Sequence, residues 1–126
     1  MHAQCAPWLA VAGLLLAPGV QAAPSPVAQA EISYLLTQVE NSTCEFNRNG
    51  RWYDGTQAAA HLRDKYGSRF VWGQISSAEE FIAKVATRSS FSGVEYAIRC
   101  KGMTTVPSAR WFRDQLSAYR QASGGQ

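Results

Sequence analysis

The residues best suited to nucleophilic chemistry in this 126-residue chain are His61 and the serines of Ser89-Ser90-Phe91-Ser92-Gly93. A positioned imidazole can take a hydroxyl proton and return it to a leaving group, and such a pair is defined by spatial geometry, not by order in the chain. No Gly-x-Ser-x-Gly elbow presents any of these hydroxyls, so a small hydrolase using His61 and a loop serine stands as an alternative, not as the main reading. Apart from His2 near the start, His61 is the one histidine, and no carboxylate cluster at ligand spacing accompanies it. The expectation is no metal site and no cofactor. Glu79 and Glu80 are not a catalytic pair, because adjacent helical residues point about 100° apart. They suit a helix first turn, and Lys65 and Arg69 suit a helix last turn, where they answer the macrodipole.

Two further groups bear on recognition. Ser92-Gly93-Val94-Glu95-Tyr96 fits an SGxxY loop, a pattern seen in several periplasmic lysozyme inhibitors. Trp52, Tyr53, Trp72 and Trp111 are many aromatics for one small domain. Amphipathic rings are favoured at binding surfaces, but most of these are expected to anchor core and loops.

The elements that must position these residues begin after an export signal. Trp8 to Ala17 is an apolar run of signal-peptide length, too short to cross a bilayer, and Val20-Gln21-Ala22 supplies the small residues a signal peptidase requires. The n-region offers only the terminal amine and His2 as positive groups. The expected organisation is a signal peptide over 1–22, an extended Pro-rich leader over 23–27, one domain over 28–121 and a disordered tail over 122–126. Cleavage removes Cys5 and leaves Cys44 and Cys100, an even pair that reads as a structural disulfide in an exported chain. Twelve Lys and Arg against nine Asp and Glu give a net charge of +3 with the signs interspersed. Nucleic-acid binding is therefore not indicated, and no membrane anchor is expected after cleavage.

Within the domain, Ala28, Ile32, Leu35, Leu36 and Val39 repeat at helical spacing. Asn49-Gly50 between Cys44–Asn47 and Arg51–Tyr53 is a strong type I′ hairpin signal. Asp54-Gly55-Thr56 opens a helix expected to run through Tyr66 and stop at Gly67, followed by a loop over 68–76. Ser77 to Glu80 is a capping box for a helix that buries Ala78, Phe81, Ile82, Val85 and Ala86. A third strand over Tyr96–Cys100 is expected to join the hairpin, and Pro107 to open a last helix with Phe112, Leu116 and Tyr119 inward. These elements make an α+β domain: a small antiparallel sheet of three strands, about four helices around one core, and one disulfide.

The order and spacing of Phe46-Asn47-Arg48-Asn49-Gly50, Tyr53, Ala59 to Tyr66, Ala78 to Ile82, and Ser89 to Gly93 with Tyr96 resemble the YfeK-like family of small exported bacterial proteins, a domain of unknown function. The resemblance covers about Glu31 to Tyr119 and implies a bacterial envelope location, periplasmic, with no known activity. It maps the family's recurring positions onto Arg48, Asn49, Gly50, Tyr53, His61, Lys65, Ser89, Ser90, Ser92, Gly93 and Tyr96. Asn49 and Gly50 are turn chemistry. Arg48, Tyr53, His61, Lys65, Ser89, Ser90, Ser92 and Tyr96 form the candidate binding site, since a fold has no obvious need of them. The expected function is a non-enzymatic binding or interaction module, with an envelope protein or a cell-wall-related ligand as partner. Inhibition of a cell-wall lytic enzyme through the SGxxY loop is the chief alternative.

Overall fold

The computed structural model describes residues 23–71 and 73–124. The expected signal peptide lies outside the described residues. Ser25 is the N-cap of α1 (Pro26–Asn41): its backbone is extended and its Oγ accepts from the Ala28 N–H at 3.1 Å. The expected leader is thus two residues shorter, because Pro at the first helical position brings a preset φ and lacks only an N–H that a helix start leaves unpaired. The predicted inner stripe of α1 is buried, together with Glu31.

Strands β1 (Glu45–Arg48) and β2 (Arg51–Tyr53) pair antiparallel across Asn49 and Gly50, whose φ values of 53° and 85° are those a type I′ turn demands. Helix α2 (Gly55–Val71) starts on a reciprocal cap: the Gln57 N–H donates to Asp54 Oδ1, and the Asp54 N–H to Gln57 Oε1. Gly55 packs so closely on the end of α1 that a Cβ would meet the Val39 carbonyl oxygen. The helix does not stop at Gly67 but runs on to Val71, into the first part of the segment expected as loop. Gly67 has no positive φ, and one glycine in a helix costs only about 1 kcal/mol. The left-handed glycine after the helix is Gly73, at φ 68°.

Ser77 caps α3 (Ala78–Phe81) through the Glu80 N–H, while the Glu80 carboxylate reaches past the expected partner to the N–H and Oγ of Ser76. This helix stays α for one turn and then widens into a π-helical stretch over Ile82–Ala86. The Thr87 hydroxyl donates to the Ile82 carbonyl at 2.7 Å, across the same five-residue spacing as the widened turn. All five residues expected to be buried here are buried.

Strand β3 (Ala97–Arg99) pairs with β1, and β4 (Val106–Pro107) pairs with β3, giving the order β2-β1-β3-β4. The sheet therefore has four strands, not three. Pro107 belongs to the fourth, where an edge strand tolerates its missing N–H, and α4 (Ser108–Gly124) begins after it. That helix continues over residues 122–124, which the sequence suggested as disordered tail. Cys44 and Cys100 are joined, tying the start of β1 to the end of β3. In the chain-entropy account, closing this loop is worth roughly 4 kcal/mol.

The sheet is two-faced. Phe46 and Ile98 are buried beneath the helices, while Glu45 and Arg99 are exposed and ion-paired at 2.8 Å, with the Arg99 guanidinium 3.8 Å above the Trp52 ring. In the core, edge-to-face contacts run from Tyr66 to Phe81, Phe112, Trp111 and Phe46. Trp52 and Trp111 are thus anchors of sheet and core; the side chain of Trp72 lies outside the described residues.

Candidate functional site

Three elements bring the predicted residues together. Across the hairpin, Phe46 opposes Tyr53, so Arg48 stands diagonal to Tyr53 on the same face; its guanidinium lies 4.9 Å from that ring. On α2, His61 and Lys65 are four apart and share a face beside the buried Ala58 and Leu62. The third contributor is Tyr96, just before β3. Its N–H donates to the Thr87 carbonyl and its carbonyl accepts from the Ser108 N–H, both at 2.9 Å, so the ring is delivered from a fixed backbone.

The result is a pocket of about 30 Å³ lined by Arg48, Tyr53, Gln57, His61, Tyr96 and Ser108 over an apolar base that includes Leu62. His61 Nε2 lies 3.2 Å from the Tyr96 hydroxyl. The Lys65 ammonium donates to the Arg88 carbonyl at 2.7 Å and to the same hydroxyl at 3.4 Å. Lys65 is thereby tied to the segment that carries Tyr96, and the end of its helix lies further on. Burial first, then the charges of Arg48 and Lys65, lower the pKa of His61; Asp64 opposes them. The imidazole is neutral at pH 7. Burial raises the Tyr96 phenol, with Arg48 acting against it, so this hydroxyl stays protonated.

The serine loop has a different job. Ser89 is buried, and its Oγ accepts from the N–H groups of Phe91 and Ser92 and from Asn49 Nδ2. Ser92 Oγ donates to Asn49 Oδ1 at 2.6 Å and accepts from the Val94 N–H. These bonds, with Arg88 and Glu95 bridged at the loop's base, lock the loop against the hairpin turn. Two of its three hydroxyls are committed to that task, and His61 faces a phenol. The SGxxY tyrosine is buried at 7 % exposure. What the loop presents to solvent is Phe91, fully exposed, and Val94, which is exposed as well. Sequence reasoning missed both the clamping role of Asn49 and the display of Phe91. An apolar residue inside a polar run was the available signal.

A larger groove, about 1,250 Å³, lies between the π-helical stretch and α4 and contains none of the eight predicted residues. Among its cations, Arg120 is held by Glu31 and Glu79 and Arg88 is paired with Glu95. It is wide and open, whereas the smaller pocket gathers aromatic, cationic and neutral donor groups on one spot. Among the described residues no group of three or more His, Cys, Asp or Glu could hold a metal ion, and no helix is long and apolar enough to cross a membrane.

Residues 26–120 match the model of a family of unknown function, DUF5329. This chain belongs to that family. Within DUF5329 it is similar to the uncharacterized protein YfeK of Salmonella typhimurium, with 35% identity over 88 residues, 69% of this chain and 72% of that protein. The resemblance read from the separated motifs is thereby confirmed. No solved structure matches the chain. The matched span reaches from the first residue of α1 into α4, so it takes in every residue that lines the pocket.

Proposed function

We propose that this DUF5329 chain is an exported, non-enzymatic binding module of the bacterial envelope. Its recognition surface is the pocket of Arg48, Tyr53, His61 and Tyr96 together with the locked loop that displays Phe91. The observation that carries this reading is convergence: residues from the hairpin, α2 and the segment before β3 meet at one concave spot. Preorganisation supports it further. A loop fixed by its own serines loses little entropy on docking, and an exposed aromatic such as Phe91 is a usual anchor of a binding hot spot. The hydrolase alternative loses ground, because Ser89 and Ser92 are engaged elsewhere and the neutral imidazole has no carboxylate to orient it. The inhibitor alternative would need Tyr96 at the surface, and it is buried.

The test is capture of envelope proteins by immobilised wild type, Arg48→Ala and Phe91→Ala. Both variants change half-buried or exposed side chains, so their thermal midpoints stay within a few degrees of wild type. Loss of the same partner from both is expected; unchanged capture by both would remove the proposed surface.

A further inference from the structure

We infer that the groove between the π-helical stretch and α4 is a docking surface for an acidic amphipathic helix of a partner protein. It contains neither Arg48 nor Phe91, so its role does not depend on the recognition surface proposed above. The groove is a trough that follows α4. Ala109, Arg113, Leu116, Arg120 and Gly124 line it at the spacing of one helix face, and from the first to the last the helix rises about 22 Å. Ile82, Ala83 and Thr87 line it from the other side. Ile82 and Ala83 open the π-helical stretch, a distortion frequent at functional sites. The volume of about 1,250 Å³ exceeds the roughly 300–1,000 Å³ that encloses a small molecule, and suits a length of chain. Arg120 on α4 is bonded to Glu79 on α3 and Glu31 on α1, so the two sides are held together before anything binds.

Four arginines and two glutamates line the trough. Both glutamates are already matched, Glu79 by Arg120 and Glu95 by Arg88. That leaves Arg110 and Arg113, exposed, three apart on α4 and so on one face of it. Neither has an ion-pair partner among the described residues. Asp114, the acid next to them in the chain, does not line the trough and pairs with neither. The unmatched charge in the trough is positive.

Between these cations the lining is apolar, with Ile82 and Leu116 buried and Ala83 and Ala109 beside them. A polyanion without an apolar side would satisfy the arginines and leave that floor wet, and a flat anionic membrane does not enter a trough. Glu79 and Glu95 also repel a uniform run of negative charge and restrict where an acid can stand. An amphipathic helix meets both demands: apolar side chains on the floor, and carboxylates one turn apart opposite Arg110 and Arg113.

The experiment selects peptides of about 15 residues from a random displayed library on the immobilised full chain, then measures the selected peptides in solution by fluorescence anisotropy. The expected peptides carry acidic residues three or four apart beside apolar ones. Their affinity falls roughly tenfold in the double variant Arg110→Ala, Arg113→Ala and weakens as salt is added. Both substituted side chains are exposed, so the thermal midpoint stays within a few degrees of wild type. Arg48→Ala leaves the affinity unchanged. Selection of neutral or basic peptides, selection of none, or undiminished affinity in the double variant overturns the inference. Polyphosphate or phosphatidylglycerol vesicles bound more tightly than the peptides, and lost in the double variant, overturn the choice of partner. Because Arg48→Ala separates the two surfaces, failure at the trough leaves the reading of the pocket standing.

Discussion

Two clusters of charged residues in this fold are used in opposite ways. At the junction of α1, α3 and α4, Arg120 donates to both carboxylate oxygens of Glu31, at 2.7 and 2.9 Å, and to Glu79 at 2.6 Å. The cation is saturated, its pKa is raised by both carboxylates, and the Glu31 side chain beneath it is only 8 % exposed. At the pocket, Arg48 lies on a tyrosine ring beside an imidazole of lowered pKa, and among the described residues it has no ion-pair partner. The first cluster spends its charge on holding three helices. The second keeps its charge available. Arginine by itself signals neither role; the presence or absence of an acid partner decides between them.

The largest effect that would break this contrast is at the saturated cluster. Arg120→Ala leaves the buried Glu31 carboxylate without its bidentate partner and is expected to cost about 2–3 kcal/mol in urea denaturation, reduced from the fully buried case by the half-exposed arginine. A cost below about 0.5 kcal/mol would show that the cluster is ornamental. Next, Tyr96→Phe removes the hydroxyl that joins His61 and Lys65 without opening a cavity, and about 1 kcal/mol is expected by the same measurement. Arg48→Ala should change stability by no more than about 0.5 kcal/mol, since it breaks a half-exposed cation–π contact and no ion pair.

The smallest effects are pH windows that differ between the clusters. The hydrogen bond from Arg120, then a backbone N–H, lower the pKa of Glu79 below its ordinary 4.5. The unfolded chain binds that proton more readily, so this contribution is present above about pH 4.5 and is lost as the pH falls through the folded value. Arg120→Ala should remove most of it. His61 also has a lowered pKa, so the unfolded chain takes its proton first and stability declines as the pH drops below 6.5. Stability profiles from pH 8 to 3 should show the weak upper step surviving in Arg120→Ala while the lower one fades.

How far the sequence foretold this arrangement depends on the range of the interaction. Asn49-Gly50, the Ser77 cap and the apolar stripes of α1 and α4 are local chemistry, and each was legible. Gly67 misled because a glycine stops a helix only where the chain turns left-handed, which happens at Gly73. The π-helical stretch and the two-residue β4 depend on a threonine hydroxyl five residues on and on a strand nine residues back, outside any periodicity. At the site, Arg48, Tyr53, His61 and Tyr96 stand out in the sequence as polar or aromatic groups without a local purpose, and the fold brings them to one pocket. Lys65 is read both as a dipole partner and as a candidate site residue, and nothing in its neighbours reveals that residues 88 and 96 return to meet it. The serines read as a binding loop, and two of them, Ser89 and Ser92, hold that loop in place through their hydroxyls while Phe91 is exposed.

The central claim, that Arg48 holds its positive charge at the pocket without an ion-pair partner, is tested most directly by the pKa of His61 in wild type and in Arg48→Ala, measured by NMR. The account predicts a wild-type value below 6.5 that rises toward 6.5 when the guanidinium is removed. A wild-type value at or above 6.5, or one that does not move in Arg48→Ala, would contradict it.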